Sequence, residues 1–244
     1  MMFWAYLKYE FLMLTRRKSY TVLSIGLPMI FYILFTSMIK LPPADQEIFN
    51  KEYMFSMATY SLISFCILTF PLELISDKQH GWVKNLVKTP LSLFHYYMCK
   101  TLKIMFLFCL AIVLLYLTGA IYKGVSMSID EWLLSGVFLW LGASSLLSLG
   151  ILLSQMNDLQ NTSAIANILY LGLAMLGGLW FPVSTFPSWL KQIAYVTPTY
   201  HIKELAFSYT TSDGIHISSC YVLVAYAILF LTITYVIRKK TEVI

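Results

Sequence analysis

The chain is 244 residues long, 59% of them hydrophobic and 12% charged, with a formal net charge of +5. Soluble domains carry about 25% charged residues, so this balance excludes an ordinary water-exposed globular surface. The basic residues gather at the ends of long apolar runs instead of along one polar face, which excludes a nucleic-acid surface as the source of the charge.

Residues 1–18 predict a helix lying in the membrane interface, with Trp4, Leu7, Phe11 and Leu14 on one face and Arg16, Arg17 and Lys18 at its end. Tyr9, Leu12 and Met13 fall elsewhere around the wheel, which leaves an extension of the first span as the alternative. A basic cluster before an apolar run also describes a cleaved leader. This run continues to Ile39 without a small-residue cleavage site, so it reads as a mature span. A helix crosses the hydrocarbon with about 20 apolar residues, and six windows meet that requirement, at about 20–39, 54–75, 104–122, 132–155, 163–183 and 219–237. Backbone groups in lipid must be satisfied within each segment, and the runs lack period-two alternation. The predicted fold is therefore all-α and integral to the membrane, a single domain over residues 1–244.

In the second span Ser56, Tyr60 and Ser64 recur at helical spacing, as do Ser163, Asn167 and Tyr170 in the fifth. Such stripes either line a route for an amphipathic substrate or hydrogen-bond between packed helices. Between spans two and three lies the longest charged connection on its side, Ser76 to Ser92. Gly81 permits a bend and Pro90 disfavours helix at Thr89, leaving a short helical piece with Trp82, Val83, Leu86 and Val87 beside Lys84 and Lys88. That stripe suits a protein groove, and it also suits anionic lipid headgroups. Between spans five and six, Pro187 is placed to open a helix through Trp189, Leu190, Ile193 and Val196, which Pro198 closes. A second helix follows, with Ile202, Leu205, Ala206 and Tyr209 on one face and Lys203, Glu204 and Ser208 pointing elsewhere. Both pieces dip into the outer leaflet or cover a central path, the alternative being a passive interfacial hairpin.

Orientation follows from the basic residues. If the N-terminus is cytoplasmic, 12 of the 17 lie on that side, and the other face keeps Lys40, Lys51, Lys123, Lys191 and Lys203. Both termini are then inside. Cys66, Cys99, Cys109 and Cys220 form no CxxC pair and read as buried apolar residues. His80, His95, His201 and His216 are scattered, so no metal or catalytic constellation emerges.

Gly177-Gly178-Leu179-Trp180-Phe181-Pro182-Val183-Ser184-Thr185-Phe186-Pro187-Ser188-Trp189-Leu190, ending in Thr197-Pro198-Thr199-Tyr200-His201, resembles the C-terminal signature of ATP-binding-cassette permeases of the type-2 exporter family. Asp77, Lys78, Gly81, Thr89, Pro90, Leu91 and Ser92 match that family's cytoplasmic segment, and Glu10 with Arg16 and Arg17 is similar to its N-terminal interfacial helix. Gln79, His80 and Trp82 depart from the charged and small residues expected there. The resemblance implies six helices per subunit, a second permease as homodimer or heterodimer partner, and cytosolic ATPase subunits that hold the ATP and magnesium. The apolar stripe between flexible Gly81 and stiff Pro90 lies where that family couples its subunits, so Asp77, Lys78, Gly81, Trp82, Leu86, Val87 and Pro90 are expected to couple to the ATPase. Gly177, Gly178, Phe181, Pro182, Pro187, Trp189 and Pro198 would then form an extracellular gate.

The residues agree with an external energy source. There is no G-x-x-x-x-G-K-[ST] loop, and the span centres hold no ionisable residue for a proton relay, Glu73 lying near a span end. An ion-coupled carrier and a non-transport sensor or structural protein stand as the alternatives. The expected substrate is an amphipathic drug, antimicrobial peptide or lipid-linked molecule, because the external loops are too short for a recognition domain.

Overall fold

The computed structural model describes residues 2–16, 18–86, 88, 89, 91–211, 214 and 216–241. They form α1 (Met2–Arg16), α2 (Lys18–Met38) and α3 (Pro43–Ser64), which runs on through a π turn (Phe65–Thr69) into α4 (Phe70–Gln79). After α5 (Trp82–Leu86) come α6 (Leu93–Lys123), α7 (Ile129–Ser145), α8 (Leu147–Leu153) and α9 (Leu159–Leu176). The chain ends with α10 (Ser188–Ala194), α11 (Pro198–Tyr209) and α12 (Ile217–Thr241). Among the described residues every regular element is helical, and six helical stretches are long and apolar enough to cross a membrane.

The second span, from Pro43 to Gln79, is the central helix. It is buried on every side from Tyr53 to Ile67, so it shows no amphipathic stripe. Helices α2, α6, α7, α9 and α11 surround α3. Its π turn has a local cause in Pro71, which lacks the N–H that would bond the Ile67 carbonyl and whose ring crowds that carbonyl. The wider turn accommodates it, with the Phe70 N–H reaching back five residues to Phe65. Opposite the turn the fourth span breaks at Leu146 between α7 and α8, and Gly150 of α8 lies so close that a Cβ there would strike the Cys66 carbonyl.

Caps set several ends. Ser92 accepts the His95 N–H at the start of α6, and Ser128 with Glu131 forms a reciprocal capping box on α7. Asp158 caps α9 through the N–H groups of Gln160 and Asn161. Six spans return the chain to the side on which it started. Accordingly Arg238 of α12 donates to Gln155 and to Tyr97, each at 3.1 Å, beside the first turns of α6. We refer to this as the basic end.

Several expectations change. The third span begins at Leu93 instead of 104 and the second runs on to Gln79, because their basic ends carry charged residues that pair inside the protein. At its other end the second span starts at Pro43, with Lys51 and Glu52 bonded to Thr210 and Lys203. The fifth span stops at Leu176, where Gly177 caps it and Gly178 turns with φ +69°. On α1 the buried positions are Tyr6 and Glu10, while Trp4 is exposed. Pro198 does not close α10, which ends at Ala194. It is the first residue of α11, whose capping Thr197 accepts the Tyr200 N–H. Lys203 and Ser208 are buried along with Ile202, Leu205 and Ala206, so α11 is enclosed on most of its circumference.

Candidate functional site

Three helices bring ionised groups together at the basic end. Lys100 and Lys103, one turn apart on α6, face Glu10 of α1 and Glu73 and Asp77 of α4. Glu10 is 1% exposed, Lys100 3% and Lys103 2%. Lys100 Nζ lies 2.9 Å from Glu10 Oε1, 3.0 Å from Glu73 Oε1 and 2.9 Å from Asp77 Oδ2. Lys103 Nζ lies 2.6 Å from Glu10 Oε2 and also bonds Glu73. Two phenols complete the set, Tyr6 donating to Glu10 at 2.6 Å and Tyr96 donating to Asp77 at 2.8 Å. Burial first, and then the Glu10 charge, raises the Tyr6 pKa above its ordinary value, so the phenol remains a donor. Three carboxylates against two ammonium groups hold the N-terminal helix and the ends of two spans as one unit.

The connection α4–α5–α6 rests on this unit. Gly81 takes φ +70°, a left-handed conformation that favours glycine, and turns the chain into α5. Trp82 is 39% exposed, and its ring stacks on Tyr9 of α1 at 5.8 Å between centroids. Leu86 instead turns inward and is buried. Lys78 donates to the Ser154 carbonyl at 2.6 Å and Gln79 to the Asn157 carbonyl at 3.1 Å, tying α4 to the linker between α8 and α9. Val87 and Pro90 lie outside the described residues. The structure thus joins Asp77 to the ion cluster, leaves Trp82 on the surface, and takes Leu86 into the core.

Beside the cluster is a cavity of about 760 Å³, bounded by α1, α2, the π turn, α4, α6 and α9. Glu73, Lys103 and Asp158 stand on its wall with Ser163 and Asn167, and Leu68, Leu72 and Leu107 supply apolar surface. Ser56, Tyr60 and Ser64 are elsewhere, all buried. Ser56 donates to the Glu52 carbonyl, Ser64 donates to the Ser61 carbonyl, and Tyr60 stacks on Tyr170 at 4.7 Å.

At the opposite end the chain leaves α9 in a tight turn. A Cβ at Gly177 would strike Thr199, and one at Gly178 would strike Val183. Thr199 Oγ1 donates to the Leu173 carbonyl at 2.8 Å, fixing the start of α11 against the end of α9. Pro182 precedes a single 3₁₀ turn, Val183–Thr185, and Pro187 is the residue before α10. Phe181 and Trp189 are exposed, whereas Pro198 is buried. His201 bonds Ser219 at 3.0 Å and the Tyr195 carbonyl at 2.9 Å, and burial lowers its pKa, so it is a neutral packing residue.

The ion cluster is the part that the linear reading missed, since Glu10, Glu73, Lys100 and Lys103 each look like ordinary span-end charges. A signal was present in Glu73 and Asp77, four apart, and Lys100 and Lys103, three apart. Each doublet shares one helix face and is complementary in charge to the other.

The profile of the ABC-2 type transporter family matches residues 1–211. The chain is also 28% identical over 229 residues to the Bacillus subtilis (strain 168) protein named "Putative transport permease YvfS", a match covering 94% of each chain. The family match, the permease relative and six helices long and apolar enough to cross a membrane make this chain a transport permease subunit whose ATPase is a partner chain. It belongs to the ABC-2 type transporter family.

Proposed function

We propose that the permease exports an amphipathic drug, antimicrobial peptide or lipid-linked molecule from the cytoplasm, and that its basic end is cytoplasmic. The observation that carries this reading is the surface-exposed Trp82 standing, through Tyr9 and α1, on an ion cluster that joins three helices. A push on α5 is transmitted to α1, α4 and α6 together, because the buried pairs leave little room for independent movement. The neighbouring cavity lies within the 300–1,000 Å³ range of small-molecule sites and combines apolar wall with a few ionic groups, as an amphipathic cargo requires. A second permease covers the apolar faces of α2 and α9, which are mostly uncovered in one subunit. Helices α10 and α11 close the outer end. ATP and magnesium act on the partner.

The test is ATPase co-purification at matched expression. An exposed aromatic anchor contributes about 2 kcal/mol or more, which is roughly thirtyfold in affinity. Trp82→Ala should weaken association and substrate-stimulated hydrolysis together, and Trp82→Phe should restore part of both. Association unchanged in Trp82→Ala would remove Trp82 as the anchor.

A further inference from the structure

On α3, two adjacent residues grip α11. Glu52 Oε1 meets Lys203 Nζ at 2.8 Å, and Lys51 Nζ donates to the Thr210 carbonyl at 3.1 Å, just past the last turn of α11. The Lys203 side chain is 2% exposed and its ammonium lies 5.9 Å from the Tyr200 ring centroid, whereas Glu52 is 24% exposed. Elsewhere α11 is held by neutral hydrogen bonds, Thr199 to the Leu173 carbonyl and His201 to Ser219, and by apolar contact, with Ile202 and Leu223 both beside Gly142. Ser208, on the same buried helix, has an Oγ with no hydrogen-bond partner.

A buried ion pair is a poor choice for simple adhesion, because apolar residues of the same volume usually hold at least as well. It differs from an apolar contact in its response to water. Attraction between charges falls as the local dielectric rises, while apolar contact is strengthened by the presence of water. A dry pair with one partner partly open to solvent is therefore strong when closed and weak once water enters.

We infer that Glu52 and Lys203 are positioning residues that latch α11 across the outer end of the route and part when that end is wetted. This rests on the reading of α10 and α11 as the outer gate. The unpartnered Ser208 hydroxyl fits, since opening would hydrate it.

The reporter is Ser208→Cys in a permease lacking its four native cysteines, co-expressed with the ATPase that co-purifies with it and probed in cells with an impermeant maleimide. With the native pair, labelling should be at least tenfold faster in energised than in ATP-depleted cells. Glu52→Leu with Lys203→Met should keep thermal stability at or above that of the parent but abolish the acceleration. A merely structural pair would not separate those two readouts. Acceleration equal to the parent's in the Leu/Met variant overturns the latch and leaves the gate standing. No acceleration with the native pair means that α11 does not open, and the gate reading falls with the latch. Should the Leu/Met variant fail to reach the membrane, the reversed pair Glu52→Lys with Lys203→Glu decides. Acceleration retained supports the latch, and its loss at normal expression and stability overturns it.

Discussion

Lys103 bonds Glu10 from the first helix and Glu73 from the second span, so its ammonium is shared by two carboxylates far apart in sequence. Removing one member of a buried ionic set leaves the others uncompensated and typically costs about 3–5 kcal/mol, more than the intact pair contributes relative to an apolar substitute. Lys103→Met would take the formal charge of the cluster from −1 to −2 and should destabilise the permease by about 3 kcal/mol. Adding Glu10→Gln should recover part of that loss. A double-mutant cycle on thermal or denaturant unfolding in detergent measures it, and strictly additive losses would show that the two side chains are not coupled. The sequence could not reveal this cluster directly, because pairing between helices depends on how they cross. Lys100 and Lys103 therefore read as membrane-flanking charges. By contrast Gly81, whose positive φ is required by the turn into α5, was legible from its residue type alone.

At the scale of elements, the π turn at Phe65–Thr69 is one extra residue absorbed locally, so that α4 keeps its face toward α6. An α-helix rotates by ~100° per residue, so without the bulge the same sequence would carry Glu73 and Asp77 away from Lys100. Deleting Leu68 together with Pro71→Ala, which removes the proline that the wider turn accommodates, should convert the turn to ordinary helix with α4 still in register and the ion cluster intact. Deleting Leu110 from the uninterrupted α6 should instead rotate Lys100 and Lys103 relative to the outer half of that helix and lower thermal stability sharply. Equal stability losses for the two deletions would show that the turn does not set the register. The existence of the six spans was legible because about 20 apolar residues without charge suffice to announce a crossing. Their ends were not. Hydropathy stops at the first charged residue, whereas α4 and α6 continue through Glu73, Asp77, Lys100 and Lys103 because those charges satisfy one another. The helix at Pro198 was misassigned for a different reason, since a proline ends one helix and begins another equally well and only the Thr197 cap distinguishes them.

For the whole molecule, 12 basic residues lie toward one end and five toward the other. The structure changes the weight of that count. Lys100 and Lys103 are neutralised inside the ion cluster, and Lys203 is paired with Glu52, so none of the three is a free flanking charge. Subtracting them leaves 12 − 2 = 10 against 5 − 1 = 4. The bias survives, and it supports the proposal that both termini and α5 are cytoplasmic. Two positions test this without disturbing the core. Asn85 is exposed on α5 at the basic end, and Ser126 is exposed in the turn between α6 and α7 at the other. Asp213, a further candidate on the outer side, lies outside the described residues. Each of Asn85 and Ser126 is replaced by cysteine in a permease whose four native cysteines are removed. An impermeant maleimide should label Ser126→Cys in intact cells and should label Asn85→Cys only after the membrane is opened. The reverse pattern would invert the molecule, turning the Trp82 surface away from the cytoplasmic ATPase and leaving the proposed coupling without a partner.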